Sequence, residues 1–450
     1  MNSEELLQKD RKYLWHPYTQ MKDYEKDNPV LIRKAKGCRL YDYDGKVYYD
    51  TISSWWCNVH GHNHPHVVSA IKKQLKDLDH VLFAGFTHKN AVLLGEQLVR
   101  CSPGNLTRVF YSDNGSTSCE VALKMSFQFW KNSGFPNKEK FIGIENGYHG
   151  DTIGAMSVGS VSAFQETFAS LCFPAFKIPS PYCYRCPFGK KRESCSIECA
   201  DPLEDLLKKD SENISGIILE PLMQGAGGFI IYPVDYLKRV AGLAAKYNIH
   251  LIADEVATGF GRTGRMFAVE HAGVEPDFMC LSKGITNGTL PLAATLTTEK
   301  VYDAFYTDYV ENKTFYHGHT YTANPLSTAA GVASLELFEK EKTLKKTSET
   351  IPVFHEAIEK IRDIAIVGDV RKIGMVAAFE LVKNRRTKEP FKFEERIGLR
   401  IYKMGLNEGL LLRPLGSVIY LLLPLCITGD ELAEIVDRTY RLLAACSAQF

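Results

Sequence analysis

Residues 249–255 read "IHLIADE" and residues 277–283 read "DFMCLSK". Each is a short apolar run closed by a residue with ionic chemistry, Asp254 in the first and Lys283 in the second. Three further runs have the same texture: "LTRVFYS" at 106–112, "KFIGIEN" at 140–146 and "ISGIILE" at 214–220. Apolar runs of this length, alternating with helical patterns, predict an α/β fold with a mostly parallel sheet covered by helices on both faces. Ligands of such sheets bind beyond the carboxyl ends of the strands. Glu220, Asp254 and Lys283 all stand at such ends, so one pocket is expected to gather them.

Working outward, "VLIRKAKGCRLYDYDGKVYYD" at 30–50 predicts two or three short antiparallel strands with a turn at Asp44-Gly45. Beyond about residue 330, long helical stretches precede "VRKIGMVAAFELV" and "GSVIYLLLP", which read as strands of a separate C-terminal α+β unit. Lysine plus arginine number 54 against 53 aspartates and glutamates, so no net field draws nucleic acid or an anionic membrane. The substrate is expected to be small. The first residues, "MNSEELLQKDRKYLW", form neither a signal peptide nor a membrane span, and a cytoplasmic protein is expected. Twelve cysteines in 450 residues without a secretory signal read as reduced thiols.

A carboxylate at Asp254, directly after an apolar strand, calls for a cationic partner. The protonated ring nitrogen of pyridoxal phosphate supplies one, and its aldehyde calls for a lysine to form a Schiff base, with Lys283 the candidate. Burial favours the neutral amine that this chemistry needs. The phosphate wants backbone donors at a helix start. "YSDNGSTSCEVALKMSFQFW" provides them at Gly115 and Ser116, ahead of a helix with Val121, Met125 and Phe129 on one face and a capping box expected at Thr117 and Glu120. Tyr148, in the glycine-bounded turn "ENGYHGDT", offers an aromatic lid. Taken singly each signal has a bland reading as a cap, a solvated lysine or a structural carboxylate; their order is the informative part.

The combination "NGSTSCEVALK", "NGYHGDTIGAMSVG", "EPLMQGAGG", "ADEVATGFGRTG", "LSKGITNG" and "HGHTYTANP" resembles the class III aminotransferases of the fold-type I pyridoxal phosphate group. The resemblance covers nearly the whole chain. It implies a large cofactor-binding domain over 61–330, with a seven-stranded type of sheet, and a smaller α+β domain built from 1–60 and 331–450. It also implies a homodimer with shared active sites. Lys283 would hold the cofactor and shuttle a proton, Asp254 would pair with the ring nitrogen, and Val256 and Tyr148 would cover the two ring faces. Gly115 and Ser116 would bind the phosphate, joined by Thr320 of the neighbouring subunit.

"LWHPYTQM", "SSWWCNVHGHNHP" and "LLRPLGSVIYLLLP" are similar to the biotin-pathway branch of the class, which implies 8-amino-7-oxononanoate as amino acceptor. Arg413 would then hold its carboxylate, Tyr18, Trp55, Trp56 and Tyr420 would line the pocket, and Asp151, Arg262 and Gly318 would support it, with Tyr18 also near the chemistry. A long apolar chain ending in a carboxylate wants an aromatic sleeve closed by an arginine. The alternatives are that the tryptophans are core residues and that Arg413 is a surface ion pair. For the donor, the branch members that use S-adenosylmethionine are expected to carry proline where this chain has His319, but Tyr18 and the paired tryptophans resemble that type, so S-adenosylmethionine is the expected donor and lysine the alternative. A class III enzyme acting on ω-amino acids or diamines, with pyruvate or 2-oxoglutarate as partner, is the alternative activity.

Two stretches distract. "HGHNHPH" at 60–66 reads as a turn rather than a metal cluster. Cys183, Cys186, Cys195 and Cys199 have spacings that a zinc or iron–sulfur site could use. The eight residues between the inner pair are few for a zinc ribbon and the expected chemistry needs no metal, so the loop is read as reduced and metal-free.

Overall fold

The computed structural model describes residues 2–27 and 29–449. Its central element is a seven-stranded sheet: β1 (Leu106–Ser112), β2 (Lys140–Ile144), β3 (Phe176–Ile178), β4 (Ile214–Leu219), β5 (His250–Asp254), β6 (Phe278–Leu281) and β7 (Ala293–Thr298). The spatial order is β1-β7-β6-β5-β4-β2-β3. All neighbours run parallel except β7, which is antiparallel to both β6 and β1.

Every residue of β4, β5 and β6 is buried, as expected for strands covered on both faces. The period-two alternation assigns those residues to two cores. Ile218, Ile252, Phe278 and Cys280 join Cys119, Ala122, Leu123 and Phe129 of the helix Gly115–Asn132 on one face. Ile217, Leu219, Leu251, Ala253, Met279 and Leu281 belong to the larger core on the other. Burying a leucine, isoleucine or phenylalanine side chain is worth about 1.5–3 kcal/mol, so these central strands carry much of the stability.

The two ends of the chain meet in smaller sheets. Ile32–Lys36, Arg39–Asp42 and Val47–Asp50 form the antiparallel unit expected from the sequence, and Leu410–Leu411 adds to it in parallel beside Tyr49 and Asp50. Val376–Asn384 pairs antiparallel with both Val367–Ile373 and Val418–Leu422. Among the described residues no helix is long and apolar enough to cross a membrane.

Candidate active site

A cavity of about 1190 Å³ opens where the carboxyl ends of the parallel strands converge, and Glu220, Asp254 and Lys283 all line it. Lys283 follows β6 in a left-handed conformation, φ 45°, which costs a non-glycine residue on the order of 1–2 kcal/mol. The preceding Ser282 ties the turn down by donating to the Leu292 carbonyl at 2.8 Å. Among the described residues the Lys283 amine makes no hydrogen bond or ion pair; it lies 5.3 Å from the Trp56 ring centre. Burial depresses its pKa, against the opposing pull of Asp254 and Glu220.

Asp254 is almost fully buried, its Oδ2 2.7 Å from His149 Nδ1, and its Oδ1 accepts from the Val256 amide at 3.1 Å. His149 Nε2 is buried without a partner. Glu220 receives the amides of Tyr148 (3.0 Å) and Gly225 (2.8 Å), yet burial first and the charge of Asp254 second push its carboxyl up to about 8.

At the other end of the cavity the helix Gly115–Asn132 begins. The expected cap is displaced by one turn: Asn114 is the N-cap and pairs reciprocally with Thr117, not Thr117 with Glu120. The asparagine side chain competes successfully for the Thr117 amide (3.1 Å), which frees Glu120 to bind Thr152 Oγ1 (2.5 Å) and the Ala155 amide (3.0 Å). The amides of Gly115 and Ser116 thereby remain without intrahelical acceptors. A Cβ on Gly115 would meet Val256 at 2.6 Å, and one on Gly150 would meet Ser116 Oγ at 2.3 Å, so both glycines keep this end open.

An aromatic wall flanks the lysine. Tyr18 Oη donates to Asp151 at 2.6 Å and lies 3.2 Å from Tyr148 Oη; burial, then Asp151, pushes its pKa up to about 12. Tyr18 meets Trp55 edge-on at 5.9 Å, and the Arg413 guanidinium stands 3.9 Å from the Trp55 ring centre. Among the described residues Arg413 makes no hydrogen bond or ion pair, so it is not a surface ion pair. Trp56 is buried and donates through Nε1 to Tyr420 Oη at 3.0 Å, both packing on Phe229.

The tryptophans reach these separate partners because Ser53, Ser54 and Trp56 all adopt positive φ. Arg262 holds that strained segment. It lies off the cavity, 1% exposed, and donates to Ser53 Oγ, Trp56 O and Asn58 O, and to Leu423 O across the junction. Its support of the pocket therefore acts through the segment it pins.

Gly318 and Thr320 do not reach the cavity of their own chain and are exposed. Two residues of the site escaped the sequence reading. His149 sits beside Tyr148 within a quoted motif but carries no periodic signal; Phe164, 5.1 Å from Tyr18 and 5.8 Å from Tyr148, lies on a helix of four residues with no pattern at all.

Cys119, His149 and Asp254 offer ligand atoms within 4.8 Å of one another. The carboxylate is already engaged by the imidazole, and it lines the cavity that Lys283 also lines. The histidines of 60–66 diverge: His62 to Asp50, His64 to Glu341, His66 to Glu336.

The class III aminotransferase family model matches residues 21–443. The chain belongs to the class III aminotransferases. As such it is an enzyme that depends on pyridoxal phosphate. It is 48% identical to the adenosylmethionine-8-amino-7-oxononanoate aminotransferase of Geobacter sulfurreducens, with 95% of each chain covered. The crystal structure of the enzyme of that name from Methanocaldococcus jannaschii superposes with a TM-score of 0.94 at 39% identity, covering 99% of both chains. A pyridoxal-phosphate-bound amine transaminase from an uncultivated Pseudomonas species gives a TM-score of 0.92 at 33% identity, over 96% of this chain and 99% of that one. This aminotransferase has residues that fit the cofactor: a buried carboxylate, a half-buried amine with no hydrogen bond or ion pair among the described residues, and an anion-ready helix start cleared by Gly115 and Gly150.

Proposed function

We propose that the protein transfers the α-amino group of S-adenosylmethionine to the 7-oxo carbon of 8-amino-7-oxononanoate, giving 7,8-diaminononanoate, the biotin-pathway reaction. The observation that carries this reading is Arg413: a cation without an anionic partner among the described residues, stacked on Trp55 at the edge of an aromatic wall that includes Tyr18. Such a wall suits an acceptor with a long apolar chain and a terminal carboxylate. The names of relatives more than 40% identical support it.

Pyridoxal phosphate, when bound, supplies the electron sink that makes the carbon bearing the amino group acidic. Lys283, whose amine burial shifts toward the neutral form, would be the group that moves the proton, through its Nζ. Asp254, oriented by His149, would hold the ring-nitrogen proton, while the amides of Gly115 and Ser116 would receive the phosphate. Val256 and Tyr148 would confine the ring. Tyr18, held by Asp151, would line the wall on the substrate side.

A homodimer would complete the site by bringing Thr320 and Gly318 of a second copy to the phosphate end. Exposed Tyr306, Tyr309, Val310, Tyr316 and Tyr321 around that segment support a covered face.

The test is a half-reaction. Purified holoenzyme is mixed with one amino donor and no acceptor, and the loss of the bound cofactor's visible absorbance is followed. Conversion by S-adenosylmethionine is expected. Conversion by lysine alone would keep the acceptor and change the donor; conversion by ω-amino acids alone would replace the reading with a general amine transaminase. Initial rates with both substrates varied should give parallel lines, the ping-pong pattern of one site serving two substrates in turn.

A further inference from the structure

We propose that Cys183, Cys186, Cys195 and Cys199 bind one zinc ion as a structural four-thiolate centre, separate from the aminotransferase cavity, that fastens the strap between β3 and the helix Asp201–Asp210. This departs from the metal-free reading of the loop in the sequence alone.

The strap needs a fastener. Between Ile178 and Asp201 the chain contains nothing more regular than three-residue turns. Loops longer than about 12–15 residues without secondary structure are uncommon in a packed domain unless something else holds them.

The fold brings its four cysteines to one place: all line a single small cavity of about 20 Å³, closed by Pro187, Phe188 and Ile197 and sharing no residue with the active-site cavity. They arrive as two pairs, C-x2-C and C-x3-C, each carried on tight turns. The first turn is closed by the Gly189 amide donating to the Cys186 carbonyl at 3.0 Å, with Gly189 at φ 64°. The second has Ile197 in the left-handed region at φ 63°, its carbonyl held by Arg239 Nη1 at 2.9 Å and by the Ala200 amide at 2.9 Å. A β-branched residue in that conformation is strained.

No three of the four sulfurs lie within 4.8 Å of one another. A tetrahedral site with Zn–S of about 2.3 Å sets sulfurs about 3.8 Å apart, so binding draws the two turns together across the cavity. The step is an ion exchange without redox change: four S–H bonds release four protons to solvent and four S–Zn bonds form, leaving a net charge of two minus. Lys190, Lys191 and Arg192 lie between the pairs in sequence; Lys190 faces Glu198 at 3.5 Å and Arg192 faces Asp235 at 3.1 Å, while Arg192 Nη1 is 3.8 Å from Cys195 Sγ.

The strap reaches the C-terminal sheet through Tyr182 and Arg185, both donating to Glu380, and through Lys388, which donates to the Tyr184 carbonyl at 2.5 Å. A bound ion would brace that junction.

The test is metal analysis of the reduced holoenzyme expressed with zinc in the medium. About one zinc per chain is expected, released by a mercurial that blocks thiols, and absent from the Cys183→Ser/Cys186→Ser variant. If that variant does not fold, titration of chelator-treated wild-type protein with cobalt(II) decides the matter: intense thiolate-to-cobalt bands in the difference spectrum, displaced by zinc, are expected. Absence of zinc together with no cobalt bands would overturn the proposal. So would iron with sulfide in the purified protein, or full zinc content in the double variant.

Discussion

Replacing Arg413 with alanine tests the acceptor assignment most directly, because among the described residues the guanidinium has no hydrogen-bond or ion-pair partner that the change would orphan. A bidentate contact from arginine to a carboxylate is a charge-assisted interaction worth about 1.5–3 kcal/mol. At about 1.4 kcal/mol per decade, kcat/KM for 8-amino-7-oxononanoate should fall by about 10- to 150-fold. Loss of the stacking on Trp55 adds a smaller amount, about 0.5–1 kcal/mol, that does not depend on the acceptor's charge. The two are separated by comparing the free acid with its methyl ester. The wild-type enzyme should prefer the acid by roughly the factor that the substitution removes, whereas Arg413→Ala should treat acid and ester alike. Arg413→Lys should recover part of the preference, since it keeps the charge and loses the fork. If Arg413→Ala still discriminates fully between acid and ester, the carboxylate is held elsewhere and the argument from the unpaired guanidinium fails. Equal damage to the acceptor and donor half-reactions would also remove its role as the acceptor's anchor.

Lys283→Ala should abolish turnover, a loss of more than about 10³-fold for an essential proton-transfer group, while the circular dichroism spectrum stays unchanged; near-normal activity would end the proposed mechanism. Asp254→Asn should cost about 10²-fold or more in kcat and, because His149 loses its anionic partner at 2.7 Å, should also lower the visible cofactor occupancy measured by absorbance. Arg262→Met should destabilise the protein by about 3–5 kcal/mol, read from urea unfolding, since four acceptors buried with the guanidinium lose their donor together. A change within about 0.5 kcal/mol would show that the strained segment 53–56 holds itself.

Much of the fold was legible because the strands of a doubly covered sheet are continuous apolar runs, and the polar residues that end them stand out against that background. The positions of Glu220, Asp254 and Lys283 around one cavity follow from that logic alone. The helix cap did not, because Asn114, Thr117 and Glu120 all have side chains able to take the same amides, and only the tertiary demand of Thr152 and Ala155 on Glu120 decides between them. The separate surroundings of Trp55 and Trp56 were hidden for a similar reason. Adjacent residues in a strand or helix have predictable faces, but this pair follows two serines at positive φ, and the geometry is imposed by a buried arginine more than 200 positions away. The register between the first strands and Leu410–Leu411 is likewise a long-range pairing with no local signal.

The cavity places two carboxyls and one amine in the same buried space, and the protonation of Glu220 follows from competition among them. Two backbone amides favour its carboxylate, as does Lys283, but desolvation and the neighbouring Asp254 outweigh them and hold its carboxyl up to about 8. A carboxyl whose folded pKa lies above its unfolded value stabilises the fold fully below the unfolded value, near 4.5, and loses that contribution as pH rises through about 8. In the cofactor-free protein, Glu220→Gln should therefore flatten the decline in melting temperature across this window. The offset between variant and wild type at low pH reports only the exchange of a hydroxyl for an amide at the Tyr148 and Gly225 contacts, so the slope is the quantity to read. Parallel curves from pH about 5 to about 8 would mean that Glu220 ionises normally, with Lys283 taking the proton in its place. The Lys283 amine would then be charged in the resting protein, and the neutral base would have to arise only when the cofactor is bound.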